Sequence, residues 1–525
     1  MKGRFRQSMA WLHTWSGLVV GWLLFAIFLT GTASFYRQEI SLWMRPELHG
    51  SAVASDAAAV AFARLSTLAP QARRWLIDLP DGRDPIAHIY VWRDAGKAPG
   101  FQREALDTAT GQPIAARATY GGDFLYYFHF DLNMPSIWGR LIVGVAASIM
   151  LVAIISGVIT HRRIFKDFFT FRPRRAAQRS WLDAHNLLGV LALPFHVMIT
   201  YTGLITLMFL YMPWGIDAAY KGDKTAFMTE ASLSTPIPDA AGIPARLTPI
   251  EPLIREASRR WDGRGVGRVD VYRPGDAKAL IELTSSDAEH IAHHRKKIVF
   301  DGVTGALIAE KNHMPPAAKT RAILYGLHLG RFADPALRLL YFLSSLVGTA
   351  MIATGLVLWA VKHKPKQEGP ERPGFGYRLV EALNVGTIAG LPIAIAALFW
   401  GNRLLPVDLA GRADWEVVCF FAAWTLALLH AALRTAPNAW TEQLWAAAIL
   451  YATLPILNLL TTESHLGMTL PKADWVLAGF DLTMLLVGLL FGWIAWSMAG
   501  RKPDGTLGPC VRAPSSKTVT KGVGR

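Results

Sequence analysis

The chain contains 15 histidines, and two of them, His185 and His196, fall inside one apolar stretch, DAHNLLGVLALPFHVMITYTGL. An imidazole is an acid–base group and the commonest metal ligand. An ionisable ring within a membrane-length apolar run points to function by default. At 3.6 residues per turn, eleven residues make three turns plus roughly 20°, so a straight helix carries both rings on one face, about 16 Å apart. That spacing predicts two cofactors, or a proton route, at two depths. Four more histidines flank apolar runs: His13, His129, His161 and His328.

The elements that must position these rings are membrane helices. Of 525 residues, 52% are hydrophobic and 19 are tryptophan, which lies outside the range of soluble globular chains. Apolar runs of about 20 residues occur near 11–35, 137–160, 186–211, 337–361, 379–400, 415–433, 442–460 and 474–498. Lys and Arg cluster in the leader, in the 162–184 and 363–378 loops and in the 501–525 tail. With every run crossing once, these fall on one side, which predicts that both termini are cytoplasmic. A net charge of +15 is then the basic rim of a membrane protein and calls for no nucleic acid. The first run is longer than a secretory h-region and has no small-residue cleavage site, so it is read as retained. Two cysteines, Cys419 and Cys510, provide neither a disulfide framework nor a thiolate metal site.

The chain repeats itself. HTWSG at 13–17 aligns with HNLLG at 185–189, and TG at 30–31 aligns with TG at 202–203, without a gap. SG at 156–157 aligns with TG at 354–355, and YFHFDL sets His129 against the His328 of GLHLGR. Between the paired runs, each half carries a helical pattern, then alternating strand patterns, then a Thr-Gly hairpin signal, LDTATGQPI at 106–114 or FDGVTGALI at 300–308. The predicted order is therefore a first span in 1–36, an exported α+β domain at 37–135 and a second span at 136–161. After the 162–184 loop come a third span at 185–212, a second exported domain at 213–333 and a fourth span at 334–362. Two such units predict a four-helix core with approximate two-fold symmetry. Residues 379–500 show no third copy and read as an appended module of about four helices.

WLHTWSGLVVGW, SGVITHRRIFKDFFTFRP followed by WLDAHNLLGVLALPFH, and YGLHLGRF, together with the two exported TG turns, resemble the PepSY-associated transmembrane family, the iron-regulated membrane proteins of bacteria. The resemblance covers about residues 8–363. It implies a bacterial inner-membrane protein with two periplasmic PepSY-like domains and a role in iron uptake, since characterised relatives include haem-containing reductases of ferric siderophores.

Haem iron accepts neutral imidazole on each axial face, so bis-histidine sites draw on two helices facing a common gap. The expectation is two haems b held by ligands from His13, His129, His161, His185, His196 and His328. Repeat symmetry pairs His13 with His185 and His129 with His328; Trp359 stands opposite His161, and Leu24 opposite His196. His185 is assigned to the cytoplasmic layer and His196 to a deeper one, with Pro194 as a candidate kink that makes room. His313, on the approach to His328, is a substrate-side candidate. His49, His88, His290, His293 and His294 are read as solvated, and Tyr120, Phe124, Tyr126 and Tyr127 as interfacial packing. HExxH, GxSxG, P-loop, CxxC and flavin motifs are absent. An electron donor would then be a cytoplasmic flavoprotein or a membrane quinol, and the acceptor a periplasmic ferric siderophore. The competing expectation is a non-redox protein whose exported domains bind or restrain a peptidase or another envelope partner.

Overall fold

The computed structural model describes residues 2–50, 56–94, 100–161, 172, 176–231, 235–286, 291–292, 296–311, 314–365 and 373–499. The first repeat comprises α1 (Lys2–Ser34), α2 (Arg37–Trp43), α3 (Ala57–Leu68), β1 (Arg74–Asp78), β2 (Ala87–Trp92), β3 (Phe101–Leu106), α4 (Gly122–Asp131) and α5 (Ser136–Thr160). The second comprises α6 (Ala177–Leu191), α7 (Leu193–Thr206), α8 (Ile250–Arg260), β4 (Val266–Tyr272), β5 (Leu280–Ser285), β6 (Lys297–Asp301), β7 (Leu307–Lys311), α9 (Pro316–Leu329) and α10 (Pro335–Lys362). The appended module follows as α11 (Phe375–Ile388), α12 (Gly390–Leu404), α13 (Arg412–Leu433), α14 (Ala436–Ala452), α15 (Leu454–Thr461) and α16 (Trp475–Ala499). Shorter turns join them.

In lipid, a chain must satisfy its own backbone, so the long apolar runs become helices. Among the described residues, seven spans are long and apolar enough to cross a membrane, and the bent pair α6–α7 makes an eighth. They coincide with the eight runs read from the sequence. The bend is 68°, with Pro194 in the first turn of α7, where its missing N–H cannot continue the preceding helix. This removes the straight-helix premise. His185 lies on α6 and His196 on α7, so the two rings do not share one helical face.

The core is a ring of packed helices: α1 lies against α5 and α10, α10 against α6, and α5 against α7. Caps fix where α9 ends and α10 begins. Gly330 closes α9 in the left-handed region at φ +62°, and the Asp334 carboxylate accepts the Leu337 N–H at 2.8 Å to open α10.

The two α+β segments do not close as two separate sheets. They share one seven-stranded antiparallel sheet of order β3-β2-β1-β4-β5-β6-β7, joined where β1 pairs with β4. Each segment alone offers one helix and a few strands, too little to bury its own face, and its edge strand invites pairing. Strand alternation sends Trp75, Ile77, Val269, Val271, Ile281 and Leu283 onto α3 and α8, giving one core for both segments. Both hairpin turns are built alike. Gly111 at φ +70° and Gly305 at φ +73° return their N–H to the Asp107 and Asp301 carbonyls. Those aspartates cap the turn amides with their carboxylates. The sheet is tied down to the helical core by Glu39 of α2, which binds Arg83 of the β1–β2 turn at 2.7 Å and Arg338 of α10 at 3.2 Å.

Candidate functional site

Four of the six histidines assemble into two pairs. His13 of α1 faces His185 of α6 with ring centroids 6.1 Å apart, and His129 of α4 faces His328 of α9 at 6.0 Å. Each pair takes one ring from each repeat, as the sequence symmetry predicts. One pair lies toward the end that carries the basic loops, the other toward the sheet. The carbonyl that anchors His129 belongs to Ile27, fourteen residues beyond His13 on α1, so the levels are separated by about 21 Å along that helix.

All four rings are held in the same way. The Nδ1 of His13 bonds the Ala153 carbonyl at 2.8 Å and that of His185 the Met351 carbonyl at 2.9 Å. The Nδ1 of His129 bonds the Ile27 carbonyl at 2.7 Å and that of His328 the Ile199 carbonyl at 3.0 Å. Each carbonyl stands four residues before a glycine of the repeat: Gly157, Gly355, Gly31 and Gly203, respectively. A Cβ on these glycines would meet the histidine ring at 3.0, 3.0, 2.7 and 2.9 Å. Glycine therefore lets each ring lie flat enough against the helix to reach its backbone.

The chemistry follows from the acceptor. A carbonyl cannot donate, so Nδ1 carries the proton and Nε2 keeps its lone pair. This is the orientation in which metal-ligating histidines are held. No Nε2 of the four makes a hydrogen bond to the described residues. At the sheet end, burial pushes the His328 imidazole down to about 3, reinforced by His129, whose own value burial also lowers. Both rings are thus neutral and suited to bind a metal.

A pair of imidazole nitrogens spanning one metal, at about 2 Å on each side, sets ring centroids roughly 6 Å apart, and both pairs match. Among the described residues no three histidine, cysteine or carboxylate side chains gather as a closed donor set. Each pair offers two imidazole donors, the number that the axial positions of a tetrapyrrole iron take.

The other candidates are placed differently. His161 caps the end of α5, its N–H on the Gly157 carbonyl at 3.2 Å, and acts electrostatically on His185. His196 is buried in α7 beside Phe28 and Gly348, and no second histidine ring packs against it. His313, His290, His293 and His294 lie outside the described residues. His49 and His88, expected to be solvated, are packed instead: His49 bonds the Leu42 carbonyl at 2.9 Å, and buried His88 bonds Asp84 at 3.1 Å. Of the aromatic residues before His129, Phe124 is buried on Phe420, Tyr126 lies under Arg37, and Tyr120 donates to Asp414. Tyr120 and Tyr127 are also exposed, so the cluster runs from the core to the surface. The appended helices press on the same core: Trp22 of α1 donates to Asn384 of α11, and Trp43 of α2 donates to Asp481 of α16.

A helical membrane core with two symmetric histidine pairs beneath an α+β layer defines the class of protein. The sequence profile of the PepSY-associated TM region matches residues 10–362, more than half of the chain, and the chain belongs to that family. It is also similar to an uncharacterized protein of Pseudomonas aeruginosa, 26% identical over 376 residues that cover 69% of this chain and 91% of that protein.

Proposed function

We propose that this chain is a haem b electron-transfer protein of the bacterial inner membrane that reduces a ferric siderophore on the sheet side. The observation that carries the reading is the double pair: four imidazoles at two levels, each with its Nδ1 tied to a carbonyl and its ring centroid about 6 Å from that of a partner ring. His13 and His185 would hold one haem, His129 and His328 the other. A bound haem b supplies a one-electron couple.

The chain's own part is positional. The four glycines and their carbonyls orient the ligand rings, and the apolar core keeps them dry. The pair nearer the basic loops stands toward a cytoplasmic flavoprotein or a quinol as donor. The pair nearer the sheet stands toward the substrate, whose Fe(III) gains one electron and, as Fe(II), is bound less tightly by hard oxygen donors. The shared α+β layer is read as two PepSY-type units over that exit.

A second reading keeps one observation of its own. β7 is a sheet edge with Leu307 and Ile308 exposed, a surface on which a partner strand can add. The non-redox protein that binds a peptidase or envelope partner would use it.

One measurement separates the two readings. Protein purified from membranes should show a reduced-minus-oxidised haem b spectrum with about two haems per chain. Alanine at His13, His185, His129 or His328 should each remove about half of the haem. Colourless protein, or full haem in all four variants, refutes the electron-transfer reading.

A further inference from the structure

His196 is one of the two candidate histidines that the pairs leave over, and the one inside a span. Its side chain is 1% exposed, and both ring nitrogens lack a hydrogen-bond partner. The backbone of Ser344 lies beside the ring but outside hydrogen-bond geometry. One turn further along α7, the buried Thr200 hydroxyl is unpartnered as well. Residues four apart share a helical face, so His196 and Thr200 put three unsatisfied polar atoms on one side of α7 inside an apolar core.

A buried polar atom without a partner costs about 1–3 kcal/mol. The surroundings are small and hydroxylic. Gly348 of α10 lies tightly against the ring, since a Cβ there would come within 2.8 Å of Phe28 and 3.1 Å of the His196 Nε2. Close by in sequence, Ser345 and Thr349 of α10 bond Thr32 of α1.

Charged neighbours are engaged elsewhere. On the helices packed against α7, Arg140 of α5 lies over Phe130, Arg321 of α9 over Phe209, and Arg338 of α10 pairs with Glu39. Lys319, Tyr325 and Lys362 complete the ionisable side chains of α9 and α10, apart from His328 and Tyr341. Tyr341 packs on Phe195, and none of these groups bonds His196. α1 contributes Lys2, Arg4 and Arg6 only at its start, besides His13.

We propose that His196, with Thr200 one turn away, takes up a proton when this core accepts an electron. The proposal rests on the electron-transfer reading above. The electron comes from the flavoprotein or quinol donor, and the proton comes from bulk water and forms an N–H bond on the ring. When the electron leaves to the ferric substrate, the proton returns to water and the imidazole is neutral again. The physical reason is charge balance. A net charge added in a low-dielectric core is costly, and an imidazole nearby can cancel it.

The test is equilibrium redox titration of the purified full-length protein from about pH 5 to 8, the range in which imidazole titrates. In the wild type the midpoint potential of one haem should fall with rising pH, by up to about 59 mV per pH unit for one proton per electron. His196→Leu should flatten that slope while keeping haem content and spectrum. Thr200→Val, nearly isosteric, should move the pH at which the slope begins. A pH-independent wild type, or a slope unchanged in both variants, overturns the proposal. So does loss of haem in His196→Leu, which would make the residue a ligand. Protein that binds no haem fails at the spectrum, before any titration, and takes the electron-transfer reading down with it.

Discussion

At the scale of single residues, the site is built as much by glycine as by histidine. Gly31 shows why: a Cβ would stand 2.7 Å from two atoms of the His129 ring, a distance no packed side chain adopts. Gly17 recurs in the same repeat, yet a Cβ there would meet nothing within 4 Å. Gly31→Ala should therefore displace His129, lowering both haem content and melting temperature, since overpacking costs about 1–3 kcal/mol. Gly17→Ala should leave haem content unchanged and stabilise slightly, because alanine is the better helix former by about 1 kcal/mol. Equal effects of the two substitutions on haem content would show that the ring does not depend on the cradle. The repeat marks both glycines in the same way, and only the packing distinguishes them.

At the scale of elements, the β6–β7 hairpin shows how local chemistry sets a turn. The backbone N–H of Thr304 is the main influence that holds the Asp301 carboxyl below its ordinary value of 3.8; burial opposes it slightly, and the Val303 N–H adds to it. A carboxyl depressed in the folded state stabilises the turn above its unfolded value. That contribution is lost as pH falls through the lower, folded value. Amide protection at Val303 and Thr304 should thus hold from pH 7 to about 4 and decline below, and Asp301→Asn should remove the decline. Protection independent of pH in the wild type would contradict this account. The Asp-x-x-Thr-Gly spacing is legible in the sequence, because every partner lies within four residues. The bend between α6 and α7 is only half legible. Pro194 announces a break, but its 68° size depends on what the two halves pack against.

At the scale of the whole molecule, the sheet segments lead into the starts of α5 and α10, and Arg172, Arg179 and Lys362 lie at or beyond their far ends. The bias of Lys and Arg predicts that a reporter fused at Asp276 behaves as exported and one fused at Arg434 as cytoplasmic. The reverse pattern would invert the proposed direction of electron flow. Eight spans, their order and the two-fold repeat follow from the sequence alone. A membrane segment must be apolar and must satisfy its own backbone along its own length, so the signal is local. The paired roles of His13 with His185 and His129 with His328 were available from symmetry. Three features were decided only by tertiary structure. The two α+β segments merge through β1 and β4, because strand pairing is a contact between residues nearly 200 apart, with no local signature. His196 stands apart from the pairs because the bent span sets it on α7, against Gly348 of α10, about two turns from the Gly355 against which His185 lies. The carbonyl four residues before each glycine becomes the anchor of a ring because of where a second helix crosses the first. Spacing along one chain carries no record of that crossing.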